Sequence, residues 1–399
     1  MSKIEDYNNG IAYPENYQET YIATKHVQHH PIEWNVDILK ELQDNVEKAE
    51  LFFDDDELLP NIITGLIKGN VILQGPPGTG KSELVKVIAK TFNVKLSTAT
   101  AIPDWSTYDT KGGLGPNVDN GGLVGKNGCI TDSVIDCCEK ILNKEHSVHS
   151  GKDSEQATWL FIDEINRAEI DRAFGDMFTI FGSDSYSGKI NESRKMLLPF
   201  HPDQNKRELY VPNRFRLIGA MNNIDKNFVY DLSQALSRRF TFVLLSPPKE
   251  KNMTKELDVI KKQLEDQISL KMKGLAGSLD FEKLWKEIDK DCKDEVQEIL
   301  KYIRYKSDTY EYYLNAQIGS AQIKDVYETI LIQMIISKYM DSPSKTRLLE
   351  IADSALYGKI IPVLTETRLT NRLALLEKLK SGAAYSWTNR FRYGLEDLR

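Results

Sequence analysis

The stretch Gly75-Pro76-Pro77-Gly78-Thr79-Gly80-Lys81-Ser82 limits what this chain can be more than any other segment. It fits G-x-x-x-x-G-K-[ST], with the apolar run Val71-Ile72-Leu73 before it and a helical pattern from Glu83 to Lys90 after it. The glycines allow consecutive backbone N–H groups to curl around phosphate oxygens without Cβ clashes. The positive end of the following helix adds to the attraction. In such a loop the lysine, Lys81, reaches the β- and γ-phosphates, and the Ser82 hydroxyl serves a Mg²⁺ ion. A glycine turn that binds nothing is the plain alternative, and the strand and helix on either side argue against it.

From Asn70 to about Pro248 short apolar strands alternate with helical stretches, which predicts an α/β fold with a parallel sheet flanked by helices. The strand candidates are Val71–Leu73, Val94–Leu96, Trp159–Ile162, Phe215–Ala220 and Phe240–Leu244. The first, third and fourth are nearly unbroken apolar runs, as central strands buried on both faces require. After Pro247-Pro248 the pattern is helical, with stretches at Met253–Met272, Phe281–Tyr305, Ile323–Met340 and Thr367–Lys380. Three parts are expected: an N-terminal extension over 1–60, partly helical; a nucleotide-binding domain over 61–248; and a helical lid and C-terminal domain over 249–399. In the first part, Ile38, Leu39, Leu42, Val46 and Ala49 keep helical spacing, and the acids Asp54 to Glu57 suit a helix end. The glycine-rich segment Lys111–Gly128 is longer than an ordinary connection, which hints at function.

The strand Trp159–Ile162 ends in Asp163-Glu164. An apolar strand of a parallel sheet delivers such residues to the carboxyl edge, where nucleotides bind. Asp163 suits the magnesium shell and Glu164 the polarising of an attacking water. A solvated turn would also carry two acids, but pairing with Lys81-Ser82 favours the functional reading.

The phosphate loop taken with Ile162-Asp163-Glu164-Ile165-Asn166-Arg167-Ala168 resembles the AAA+ superfamily. More narrowly it resembles the helix-2-insert branch that holds MoxR-type chaperones, dynein-related ATPases and McrB-type restriction motors. The string Asp163–Ala168 followed by Phe174-Gly175-Asp176-Met177-Phe178 is most like the McrB and dynein-related group. The likeness covers about residues 60 to 250 and extends loosely to the C-terminal third. It implies a P-loop AAA+ sheet followed by an all-helical lid. It also implies a hairpin-and-helix insertion at about 112–142, its helix at Ile130–Leu142, facing the ring's pore or a partner. The resemblance gives Asn222, or Asn223 beside it, as the polar residue that orients water or reads the γ-phosphate. It gives Arg238 or Arg239 as the arginine that enters a neighbour's site, the other making a structural ion pair. Relatives carry a lid arginine on the γ-phosphate, but the matching segment Ala316–Asp325 has none; Lys324 takes that place or the contact is absent. Lys226 stands where McrB-type motors favour arginine, which weakens any case for guanine.

Composition excludes several classes. With 52 Lys and Arg against 59 Asp and Glu, the net charge of −7 does not suit a general nucleic-acid coat. The basic residues Arg194, Lys195, Lys206, Arg207, Arg214 and Arg216 cluster around a hairpin pattern near the expected pore, with charged surface as their commoner explanation. The start is polar, without the apolar core of a signal peptide, and no apolar stretch is long enough to span a bilayer, which points to the cytoplasm. The cysteines Cys129, Cys137, Cys138 and Cys292 form no C-x-x-C. A zinc set from the first three with His146 and His149 fits no usual module, so reduced, packed thiols are the better reading.

The expected activity is therefore NTP hydrolysis, ATP before GTP, with Mg²⁺, in a homo-oligomeric, hexameric ring that drives or remodels a partner. The resemblance favours the ATPase component of a restriction or antiphage-defence complex, with a separate effector or nuclease subunit and DNA reached through that partner. A nucleotide-gated scaffold that recruits an effector, and a MoxR-like chaperone for a protein partner, are the alternatives. The residues ahead of the phosphate loop are too few for a DNA-reading domain, which assigns substrate choice to another protein.

Overall fold

A computed structural model describes residues 24–25, 27–117, 122–146, 154–181, 191–201, 203–222, 238–271, 280–337 and 344–398. The chain divides into two compact units. The first holds residues 1–49, 56–75 and 81–245; the second holds 50–55, 76–80 and 246–399.

The first unit includes the helices α1 (Ile38–Lys48) and α2 (Leu58–Lys68), each burying one apolar stripe: Ile38, Leu42 and Val46 in α1; Leu58, Ile62 and Leu66 in α2. Next come β1 (Asn70–Gly75), α3 (Lys81–Thr91), β2 (Lys95–Thr100) and the one-turn α4 (Thr107–Thr110). An antiparallel hairpin of β3 (Gly112–Pro116) and β4 (Leu123–Asn127) leads into α5 (Cys129–His146). Then follow β5 (Thr158–Asp163), α6 (Ile170–Phe174), a second hairpin of β6 (Lys195–Leu197) and β7 (Glu208–Tyr210), β8 (Leu217–Asn222) and β9 (Phe240–Leu244).

Five of these strands form one parallel sheet in the order β2-β5-β8-β1-β9. The three near-continuous apolar strands, β5, β8 and β1, are the three in the middle, as burial on both faces demands. Strand β2, half polar and half exposed, lies at an edge. Helix α2 packs on β1 and β9, and α5 on β5.

The basic residues near β6 and β7 do not all form a surface. Arg194 is buried and donates to Asn213 Oδ1 at 2.8 Å. Arg214 is buried in an ion pair with Glu33, 2.8 Å away. Arg216 is fully buried and donates to the carbonyls of Leu66, Asn213 and Phe215. A guanidinium carries five donors, so it can satisfy several buried carbonyls at once. Arg216→Ala should therefore cost about 3 kcal/mol of stability, from orphaned carbonyls and a cavity. A denaturant midpoint that moves by less than about 1 kcal/mol equivalent would contradict this.

The second unit contains α7 (Met253–Lys271), α8 (Phe281–Asp291), α9 (Lys293–Arg304), α10 (Ser320–Ile336), α11 (Lys345–Ile360), α12 (Leu369–Ser381) and α13 (Asn389–Asp397). They enclose one apolar core that includes Leu264, Trp285, Ile299, Tyr327, Leu356 and Leu375. The single helix expected over Phe281–Tyr305 is two, broken at Cys292, whose φ of −145° is not helical. Apolar spacing runs through the break (Ile288, Cys292, Val296, Ile299, all buried), so periodicity alone could not reveal it. Among the acids Asp54–Glu57, Asp54 accepts from Lys249 N and from Asn252 Nδ2 (3.1 Å) instead of capping a helix. Glu57 stands at the N-cap of α2, and its side chain makes no capping hydrogen bond there.

Burial pushes the Cys137 thiol up to about 12 and the Cys129 thiol to about 11, which makes both inert at neutral pH. His149, from the zinc alternative, lies outside the described residues, as do Asn223, Lys226 and the segment 231–237 ahead of Arg238. Among the described residues no helix is long and apolar enough to cross a membrane.

Candidate functional site

The sheet order brings the site together. Strand β8 lies between β5 and β1, so the carboxyl ends of all three meet at one edge. Gly75, last in β1, is in register with Asn222, last in β8. Asp163 is the last residue of β5 on the other side of β8. Strand termini on one edge, each in extended backbone, project their final polar groups into a common crevice.

Lys81, the first residue of α3, reaches across this edge. Its Nζ donates to Asn222 Oδ1 at 2.8 Å and to the Gly75 carbonyl at 3.0 Å, and the side chain is buried at 7% exposure. Burial lowers its pKa to about 8, although Asp163 and Glu164 oppose that shift. The ammonium is thus under-solvated and bound to carbonyl oxygens, a position that an anionic oxygen would improve. Ser82 Oγ donates to Asp163 Oδ2 at 3.1 Å. A hydroxyl and a carboxylate converging in this way are the hard oxygen donors that Mg²⁺ prefers, so the residues fit that ion.

Glu164 follows directly and has φ 51° and ψ 39°, in the left-handed region. For a non-glycine residue this costs about 1–3 kcal/mol, which the surrounding structure must sustain. Its N–H donates to Asp163 Oδ1 at 2.9 Å. Its carboxylate meets Arg167 Nε at 2.7 Å, with Glu164 at 27% side-chain exposure. Asn166, buried, donates to the Asn222 carbonyl at 3.2 Å and so ties the turn after β5 to the end of β8. Sequence reading gave neither Asn166 nor Arg167 a role; each stands within three positions of Asp163-Glu164, and that nearness was the available signal.

The loop Pro76–Gly80 packs within the second unit. Gly78 and Gly80 adopt φ of +75° and +83°, conformations that favour glycine. Thr79 Oγ1 donates to the Pro76 carbonyl at 2.9 Å, closing the turn. Lys324 of α10 is half-buried, and Gln322 of the same helix donates from its Nε2 to the Pro77 carbonyl of the loop at 3.2 Å.

The two arginines before β9 differ. Arg239 Nε donates to the Phe178 carbonyl, and its guanidinium lies 5.7 Å from the Phe178 ring centre. Arg238 is exposed and has no partner among the described residues.

Residues 70–240 match the family model of the AAA domain, dynein-related subfamily. No curated protein matches the chain. Among solved structures, a candidate ATPase from Cytophaga hutchinsonii ATCC 33406 is 13% identical, over 80% of this chain and 83% of that one, with a TM-score of 0.37.

Proposed function

We propose that this chain, an AAA+ ATPase, hydrolyses ATP with Mg²⁺ as one subunit of a homo-oligomeric ring and uses the cycle to remodel a partner. The observation that carries the reading is the meeting of Lys81, Ser82, Asp163 and Asn222 at one sheet edge. Lys81 would neutralise charge on the β- and γ-phosphates, and Asn222 would orient the attacking water. Mg²⁺, held by Ser82 and Asp163, would supply further charge neutralisation on the phosphates. Glu164 would draw a proton from water as its oxygen attacks the γ-phosphorus and the bond to the β-phosphate oxygen breaks, leaving ADP and phosphate.

The finer setting, the ATPase component of a restriction or antiphage-defence complex with a separate effector, rests on the likeness of Asp163–Ala168 to restriction motors. Any DNA is reached through that effector. A second reading, a nucleotide-gated scaffold that turns over slowly, is favoured by the Glu164–Arg167 ion pair, which occupies the carboxylate the chemistry needs.

Glu164→Gln should lower the ATPase rate by about a hundredfold while nucleotide binding persists. No hydrolysis by the unaltered protein at assembling concentrations, or an undiminished rate in Glu164→Gln, would refute the hydrolase reading. Partner recruitment that survives Glu164→Gln favours the scaffold, and recruitment that needs continued turnover favours the motor.

A further inference from the structure

The first turn of α10 grips the phosphate loop through the loop's carbonyls. Gln322 Nε2 donates to the Pro77 carbonyl at 3.2 Å, and Ala321 N donates to the Gly78 carbonyl at 3.0 Å. All described peptide bonds are trans. In a trans peptide the N–H points opposite to the C=O of the same plane. Anchoring the Pro77 and Gly78 carbonyls on α10 therefore aims the N–H groups of Gly78 and Thr79 away from it. Neither N–H has an acceptor among the described residues. Two adjacent amides directed to one side form an anion-binding concavity.

The gripping turn is itself held firmly. Gln322 Oε1 accepts from Gly319 N at 3.1 Å, which fixes the amide whose other end holds Pro77. Ser320 Oγ donates to Glu256, and Glu256 forms a two-point ion pair with Arg304 at 2.5 and 3.0 Å. Both charged side chains of that pair are 1% exposed. A buried, doubly bonded pair fixes position because breaking it leaves an uncompensated charge. Contact between turn and loop is tight: a Cβ on Gly319 would lie 2.3 Å from the Gly78 carbonyl carbon.

We infer that Gln322 is a positioning residue that pre-shapes the phosphate cradle by holding the loop's carbonyls, and that it does not read the terminal phosphate. This rests on the nucleotide-binding reading above. A residue that shapes the loop affects every nucleotide that uses the loop, whereas a γ-phosphate reader affects ATP alone.

The test is direct binding of fluorescent ADP and of a fluorescent non-hydrolysable ATP analogue to full-length protein, with no turnover required. Gln322→Met keeps the volume and removes the donor; Gln322→Glu keeps the acceptor for Gly319 N and removes the donor. Both should raise Kd for ADP and for the ATP analogue by the same factor, about fivefold, the worth of one hydrogen bond. Gly319→Ala, at an ordinary φ of −85°, should drive its methyl group into Gly78 and weaken both ligands by roughly tenfold or more. Thermal unfolding of each variant controls for loss of the helical unit. Weakening of the ATP analogue alone, or unchanged affinity for both in folded variants, overturns the inference. If the unaltered protein binds neither ligand, the nucleotide reading itself has failed. If it binds and hydrolyses while the Gln322 variants match it, the positioning role alone has failed.

Discussion

Arg238→Ala should reduce the ATPase rate of the assembled protein by about a thousandfold, with nucleotide affinity nearly unchanged, whereas Arg239→Ala should act mainly on stability. The sheet itself supplies the reason. Phe240, first in β9, is in register with Asn70, first in β1, whereas Gly75 closes the other end of β1. Arg238 therefore stands at the amino edge of a parallel sheet whose candidate nucleotide crevice is at the carboxyl edge. At about 3.3 Å per residue the separation is roughly 20 Å, well beyond the reach of one side chain. An exposed guanidinium so placed can serve a γ-phosphate only in a neighbouring copy. Arg239 is spent within its own subunit on the Phe178 carbonyl and ring.

This geometry makes mixing decisive. Arg238→Ala subunits keep a sound Glu164, and Glu164→Gln subunits keep a sound Arg238. Each alone should be nearly inactive. Their mixture should regain a measurable fraction of the rate, because some interfaces pair an intact glutamate with an intact arginine. Failure of the mixture to recover any activity, or a full rate in Arg238→Ala alone, would remove Arg238 from the chemistry.

The parts legible in the sequence were those governed by local pattern. Unbroken apolar strands lie in the middle of the sheet because both faces need covering, and Val71–Leu73 and Trp159–Ile162 declare this by composition alone. Lys81, Ser82 and Asp163 were legible because each closes or follows such a strand. Gln322 was not, since its role depends on a carbonyl 245 positions away, and an amide in a helix's first turn commonly serves as a cap. Arg216 was misjudged for a related reason. A guanidinium is usually at the surface, and only the folded chain shows the carbonyls of Leu66, Ile67, Asn213 and Phe215 arranged around it. The break at Cys292 was hidden because the buried stripe continues through it.

Lys81 provides the other large effect. Lys81→Ala should weaken nucleotide binding by several hundredfold, about 3–4 kcal/mol, as expected when one partner of a buried charge-assisted contact is removed. Its titration gives a sharper check. Burial sets the pKa near 8 in the unliganded protein. A bound polyphosphate favours the charged form and raises that value, so binding takes up a proton wherever free Lys81 has lost one. The sign follows: affinity is complete well below pH 8 and declines as pH rises through 8. From pH 7 to 9, where ADP is already almost fully ionised, Kd should rise about tenfold. Lys81→Arg, permanently protonated, should lose that dependence whatever its absolute affinity. A flat profile for the unaltered protein over this range would mean that Lys81 does not meet the phosphates.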